Sequence, residues 1–157
     1  AKYLLEFERG GGFSAHRIRH ELGNLKQMMT EALETNADFD ADGDIERRVA
    51  RVEIDLKALE ITELRILSDV SGGGNPGPES SILKITTVNL EQAINELCVE
   101  VLGYTGFTMN PVPGGYPVRE DFTSSVVPRY LNNRAASIFG GSQEVQRNII
   151  AKMVLGL

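Results

Sequence analysis

The residues best able to do chemistry sit at breaks between helical patterns. Glu8 and Arg9 stand directly before Gly10, Gly11 and Gly12. A carboxylate beside a glycine break can face a cavity because the backbone there leaves room, although on local pattern alone a solvated helix end explains Glu6, Glu8 and Arg9 better. His16 and His20 are one helical turn apart, a spacing that can chelate zinc. Only the adjacent Glu21 could join them, and Arg17 and Arg19 disfavour a cation, so a surface pair or contacts to a ligand's phosphates fit better than a metal. At the other end of the chain, Gly140, Gly141 and Ser142 form a turn directly before an amphipathic segment. Such a turn leaves backbone N–H groups free at a helix N-terminus, a ready contact for an anion or a cofactor.

Three further motifs invite chemistry and lose it on inspection. Asp38, Asp40, Asp42, Gly43, Asp44 and Ile45 match the first, third, fifth, sixth, seventh and eighth positions of a calcium-binding loop between two helices. The twelfth position, which needs a bidentate Glu, holds Val49, on an apolar stripe. An acidic, solvated connection is the simpler reading, with weak calcium binding as the alternative. Cys98 lies between Leu97 and Val101 in a helical pattern, as a small core residue rather than a nucleophile. Gly72, Gly73 and Gly74 lack both a preceding strand and a following Lys-Ser/Thr, which argues against a phosphate loop.

The elements that must position these residues are helices. A first helix is expected from about Phe13 to Leu33, with Ile18, Leu22, Leu25 and Met29 at three-to-four spacing. A second follows Asp44 as N-cap, its stripe of Ile45, Val49, Val52, Leu56 and Leu59 extended by Leu67 and Val70. Ser71 to Pro78 breaks the chain. A third helix runs from Pro78 to about Leu102, burying Leu83, Ile94, Leu97 and Val101, with Gly103 as its cap. Tyr104 to Thr123 reads as an ordered loop, and Arg129 to Ile138 is a candidate for a further short helix. The last helix, capped by the Ser142 hydroxyl, is expected to bury Val145, Ile149 and Met153. With no strand pattern, the fold expected is all-α, an antiparallel four-helix bundle.

Bulk properties narrow the function classes. A length of 157 residues with 41% apolar and 24% charged residues suits one globular domain. The net charge of −6 argues against nucleic acid, which requires a concentrated basic face. No apolar run approaches the roughly 20 residues of a membrane span. A single cysteine and the lack of an export signal fit a reducing, cytoplasmic setting. The chain opens in a helical pattern at Ala1 without an initiator Met, as a piece of something longer would.

The segment from Arg134 through Phe139, Gly140, Gly141 and Ser142 to Lys152 resembles the C-terminal signature of the acyl-CoA dehydrogenases, FAD enzymes that desaturate acyl-CoA thioesters. Leu97 to Gly106 is similar to that family's helix-to-glycine turn near the flavin of a neighbouring subunit, and Pro76 to Lys84 resembles related bacterial members. The resemblance covers most of the chain and corresponds to the C-terminal helical domain alone, spanning residues 1–157, without the family's N-terminal helical and middle β-domains. In many members the turn carries a Glu as catalytic base where this chain has Gly140; other branches place the base on the opening helix as a Glu immediately before an Arg, which Glu8-Arg9 matches.

The resemblance therefore implies Glu8 as base, Arg9 and Gly140 as substrate contacts, and Gly141, Ser142, Glu144, Gln146, Glu100 and Gly103 as FAD contacts, the last two toward an adjoining subunit. It implies an acyl-CoA substrate, a homo-oligomer (dimer or tetramer), electron-transferring flavoprotein as acceptor, and no activity in the isolated domain. One departure stands out. The family's Arg followed closely by Phe-Gly, which grips the FAD pyrophosphate across the dimer, is replaced by the acidic Asp38 to Asp44 connection. That departure, with the missing turn Glu, keeps open a non-catalytic subunit of a hetero-oligomer; a calcium-responsive helical domain is the remaining alternative.

Overall fold

The computed structural model describes residues 15–74, 77–104 and 125–157, and those residues form helices with no strand among them. They are α1 (Ala15–Thr35), α2 (Asp44–Ser71), α3 (Ser80–Leu102), α4 (Val126–Asn133) running on into a 3-10 turn (Arg134–Ser137), and α5 (Gln143–Met153). The antiparallel bundle expected from the sequence is the observed fold.

Its register is written in cross-helix contacts. Ala15 N donates to Glu63, Arg19 pairs with Glu60, and Lys26 pairs with Glu53, so α1 and α2 run in opposite directions. Arg48 near the start of α2 meets Glu100 near the end of α3, which makes that pair antiparallel too. The central helix is α3, packed against α1, α2, α4 and α5. Ile18, Leu22 and Leu25 of α1, Val49, Val52, Leu56 and Leu59 of α2, and Leu90, Ile94, Leu97 and Cys98 of α3 form one core with Val126 of α4. Full burial of such aliphatic side chains stabilises by roughly 1.5–3 kcal/mol each, which is where most of the helical stability comes from.

Three expectations need correction. Asp44 does not cap α2; the N-cap is Gly43, at φ 66°. The capping carboxylate belongs to Asp40, whose two oxygens accept the N–H groups of Ile45 and Glu46, each at 2.8 Å. Leu67 and Val70 do not extend the buried stripe but are exposed, because the core contributed by α2 reaches only to Leu59, with Ile66 partly covered. Val145 and Met153 of α5 are exposed as well, and Ile149 is half-buried. This helix lies against α3, and one neighbour covers only a narrow side of it.

Other details follow expectation. Gly103 ends α3 at φ 52°, its N–H reaching back to the carbonyls of Glu100 and Val99. Ser142 caps α5 by accepting the Val145 N–H at 3.4 Å. Residues 129–137 are helical as α4 and the 3-10 turn, and Ile138 already belongs to the turn that follows, while the loop expected from Tyr104 to Thr123 falls outside the described residues from 105 onward.

Candidate functional site

The 3-10 turn winds into the segment leading to α5 through N–H bonds from Ile138 and Phe139 to Ala135 O. Gly140 and Gly141 follow at φ 67° and 92°, a left-handed conformation that glycine adopts without penalty. At Gly140 a side chain would enter open space, with nothing within 4 Å of the position its Cβ would take. At Gly141 the same test meets the Gln146 side chain, whose amide donates to Gly140 O at 3.1 Å and ties the turn to α5. Glu144 is exposed, its carboxyl held low first by its own backbone N–H and then by Ser142. Gly140, Gly141, Ser142, Glu144 and Gln146, five of the residues expected at the site, thus share one turn and the first turn of the helix after it.

Below Gly140 opens a cleft of about 200 Å³, lined among others by Arg17, Lys84, Thr87, Glu91, Asn133 and Phe139. Its charges are largely internal. The Arg17 guanidinium forks onto Glu91 at 2.6 and 3.2 Å and reaches Glu21 at 3.2 Å. Arg129 donates to Glu21 at 2.5 Å, and the Asn133 amide donates to Glu91 at 3.1 Å. Burial pushes the Glu21 carboxyl up, and Arg129 only partly offsets it. Lys84 is buried and donates to Ala136 O at 3.0 Å; the same desolvation lowers its ammonium, with Glu144 opposing.

The opposite end of the bundle has other chemistry. Glu100 receives two N–H groups of Arg48, at 2.5 and 2.7 Å, which hold its carboxyl low. Thirteen residues separate Thr87 from Glu100 on α3, about 20 Å of helix, so Glu100 and Gly103 do not join the turn within one chain. Glu8 and Arg9 lie outside the described residues.

The alternative sites lose their ligands to neighbours. In the acidic connection Asp40 is occupied by α2 amides, Asp42 accepts the Asp44 N–H, and Asp44 pairs with Arg47 and Arg48. Val49, in the calcium loop's last position, is buried in the core. His16 and His20 are exposed, and no group of His, Cys, Asp and Glu able to hold a metal occurs among the described residues. Arg17 is committed to Glu91 and Arg19 to Glu60, which leaves neither free for a ligand's phosphates. Cys98 is buried, and desolvation pushes its thiol up to about 12, where it is no nucleophile.

Sequence reasoning missed Lys84, Thr87 and Glu91. The available signal was the polar series Ser80, Lys84, Thr87, Glu91 and Asn95, stepping by three and four along α3; all five are buried. A polar row flanked by the buried Leu83, Val88, Leu90, Ile94 and Cys98 lies on the covered side of the helix and marks an interior polar cleft.

Comparison with known proteins gives a consistent result. The family model described as "Acyl-CoA dehydrogenase, C-terminal domain" matches residues 1–155. Acyl-CoA dehydrogenase IpdE1 of Mycobacterium tuberculosis is 32% identical over 159 residues, covering 100% of this chain and 37% of the relative. Acyl-CoA dehydrogenase FadE34 of the same organism is 28% identical, covering 85% of this chain and 17% of its own. Among solved structures, the ChsE4-ChsE5 complex from Mycobacterium tuberculosis superposes with a TM-score of 0.70 at 24% identity, over 92% of this chain and 36% of that one. The Tcur3481-Tcur3483 steroid ACAD does so with a TM-score of 0.61 at 16% identity, over 91% and 37%. These two likenesses establish the fold. The chain spans between about a sixth and two fifths of the length of each protein it matches.

Proposed function

The chain belongs to the acyl-CoA dehydrogenase family, and from that premise we propose that the protein containing it as C-terminal helical domain dehydrogenates an acyl-CoA thioester between its α and β carbons using FAD. The supporting observation is the Phe139 to Ser142 turn at the head of α5. It keeps the form of a reactive turn, with left-handed backbone and open space at Gly140, while the side chain that would act as base is gone. Glu8, beside Arg9, is the base in this reading: it takes the α-proton, with Gly140 leaving room for its approach and for a bulky acyl group. FAD, when bound, would supply the hydride acceptor for the β-carbon. Gly141, Ser142, Glu144 and Gln146 are the residues proposed to face it, the glycine allowing close approach and the helix N-terminus favouring its negative groups. Electron-transferring flavoprotein as acceptor, homo-oligomeric assembly and a cytoplasmic setting belong to the same reading; no helix among the described residues is long and apolar enough to cross a membrane.

The residues fit FAD at the turn and fit it poorly at the other end. Glu100 and Gly103 were expected to meet the cofactor of an adjoining subunit, but the Glu100 carboxylate is held by Arg48 beside Asp44 and the acidic connection, an unfavourable surface for a pyrophosphate. That observation favours a second reading, in which this chain is one subunit of a hetero-oligomer and the flavin's phosphates are held by a different chain. Two experiments divide the readings. In the full-length protein, Glu8→Gln should abolish flavin bleaching by acyl-CoA while FAD remains bound; undiminished bleaching removes Glu8 as base. Full-length protein purified alone with stoichiometric FAD and activity would remove the hetero-oligomer.

A further inference from the structure

Among the described residues, the ionic network beside the cleft pairs two guanidiniums (Arg17, Arg129) with two carboxylates (Glu21, Glu91). Lys84 is not part of it. Only 3% exposed, it donates to the Ala136 carbonyl; no carboxylate stands within ion-pair distance of its ammonium among the described residues, and the exposed Glu144 acts on it only from farther away. One turn further along α3, the Thr87 hydroxyl is buried with no hydrogen-bond partner among the described residues. Both side chains border the cleft whose rim at Gly140 carries no side chain. Burying an ammonium without an ion pair and a hydroxyl without a bond is unfavourable twice over, and a single anionic oxygen acceptor relieves both. Glu91 shares the cleft, but its oxygens are taken up by Arg17 and Asn133. Lys84 is therefore the cation lining the cleft that stands outside its ion pairs among the described residues.

We propose that this cleft is a carboxylate-binding site, in which Lys84 Nζ and Thr87 Oγ1 hold a ligand carboxylate that enters past Gly140. The site rests on the cleft's own geometry. It deepens the dehydrogenase reading if the carboxylate is carried on the acyl group, and stands without that reading if the ligand is a free acid. A cleft of about 200 Å³ admits a short-chain acid with its carboxylate innermost.

Calorimetric titration of the full-length protein with butyrate and with butyramide, at matched ionic strength, tests it without turnover or flavin. Saturable binding of butyrate alone is expected, weakened about tenfold or more by Lys84→Met and several-fold by Thr87→Val. Thr87→Val keeps the side-chain shape and the Lys84 contact with Ala136, so it reports on the site even if Lys84→Met folds poorly. Succinyl-coenzyme A compared with butyryl-coenzyme A identifies the source. A gain for the succinyl thioester that Thr87→Val removes places the carboxylate on the acyl group, whereas binding of free butyrate alone assigns a free acid. Equal weak heats for butyrate and butyramide, or affinities unchanged in both variants, would overturn the site. A failed Glu8→Gln experiment leaves these readouts untouched.

Discussion

Replacing Arg17 with Met should loosen the α1–α3–α4 side of the bundle by about 2 kcal/mol. The guanidinium makes three contacts, two to Glu91 and one to Glu21, and the two carboxylate side chains are only 11% and 5% exposed. Stranding one partner of a fully buried pair costs about 3–5 kcal/mol. Arg17 itself is 42% exposed, however, so water already shares its charge and refills part of its place. Glu21 also keeps Arg129, and Glu91 keeps Asn133. Those two facts bring the expectation down to about 2 kcal/mol, or roughly thirtyfold in an opening equilibrium. Hydrogen exchange of the full-length protein, followed by mass spectrometry on peptides from α1 and α3, reads that change directly. The double variant Arg17→Met/Glu91→Gln should recover at least half of the loss, because the stranded charge is then gone. A change below about threefold in Arg17→Met would show the network to be a solvated surface feature. A double variant as unstable as the single one would show that lost packing of the arginine stem, not charge, is responsible.

Two smaller predictions concern groups whose chemistry the fold has fixed. Burial raises the Asp40 carboxyl, but the N–H groups of Ile45 and Glu46 outweigh it and hold its pKa below the ordinary 3.8. A depressed folded-state value means that this stabilisation is present above about pH 3.8 and is lost as the pH falls further. Asp40→Asn tolerates the left-handed backbone at φ 54° while removing the charge. Ile45 and Glu46 amides should then exchange faster at neutral pH, and protection should not fall further on acidification; unchanged protection at neutral pH would exclude the carboxylate as the cap. Cys98, with its thiol near 12, should resist iodoacetamide at pH 8 in the native protein and react only after unfolding. Labelling of native protein at the rate of a free thiol would contradict its burial.

Helices, their antiparallel order and much of the core were legible because periodicity is a local signal: Ile18, Leu22 and Leu25, or Leu83, Ile94 and Leu97, announce a buried face by spacing alone. The misreadings come from properties that spacing does not encode. Asp44 has the right type for a cap, yet the carboxylate that reaches the first amides belongs to Asp40, set by a turn with Gly43 at positive φ. Leu67 and Val70 continue the pattern of α2 beyond the point where α1 and α3 cover it. That Gly140 to Gln146 share one turn and a helix start was legible because they lie close together in sequence. Lys84, Thr87 and Glu91 were not, since a polar residue in a helix is by default solvent-facing, and only tertiary packing shows that α3 has no solvent face at those positions.

The two ends of α3 therefore carry opposite electrostatics. Near its start, the Lys84 ammonium is buried near a glycine turn with no carboxylate in ion-pair distance among the described residues, Glu144 acting on it only from farther away. Near its end, Glu100 joins Asp38, Asp40, Asp42, Asp44 and Glu46 against Arg47 and Arg48, with Arg48 already spent on Glu100 and Asp44. Two unit charges 4 Å apart at a protein surface interact by about 4 kcal/mol, so the sign of the local excess decides which ligands approach. An anionic group meets Lys84 and the N-terminus of α5 at the turn end, and a row of carboxylates at the connection end. A relative that kept an arginine in place of this connection would reverse the second preference while leaving the turn unchanged. The acidic connection therefore bears on how this chain can share a flavin with a neighbour, and Gly140 with Lys84 bears on what the cleft can admit; the two features can vary independently because they lie at opposite ends of one rigid helix.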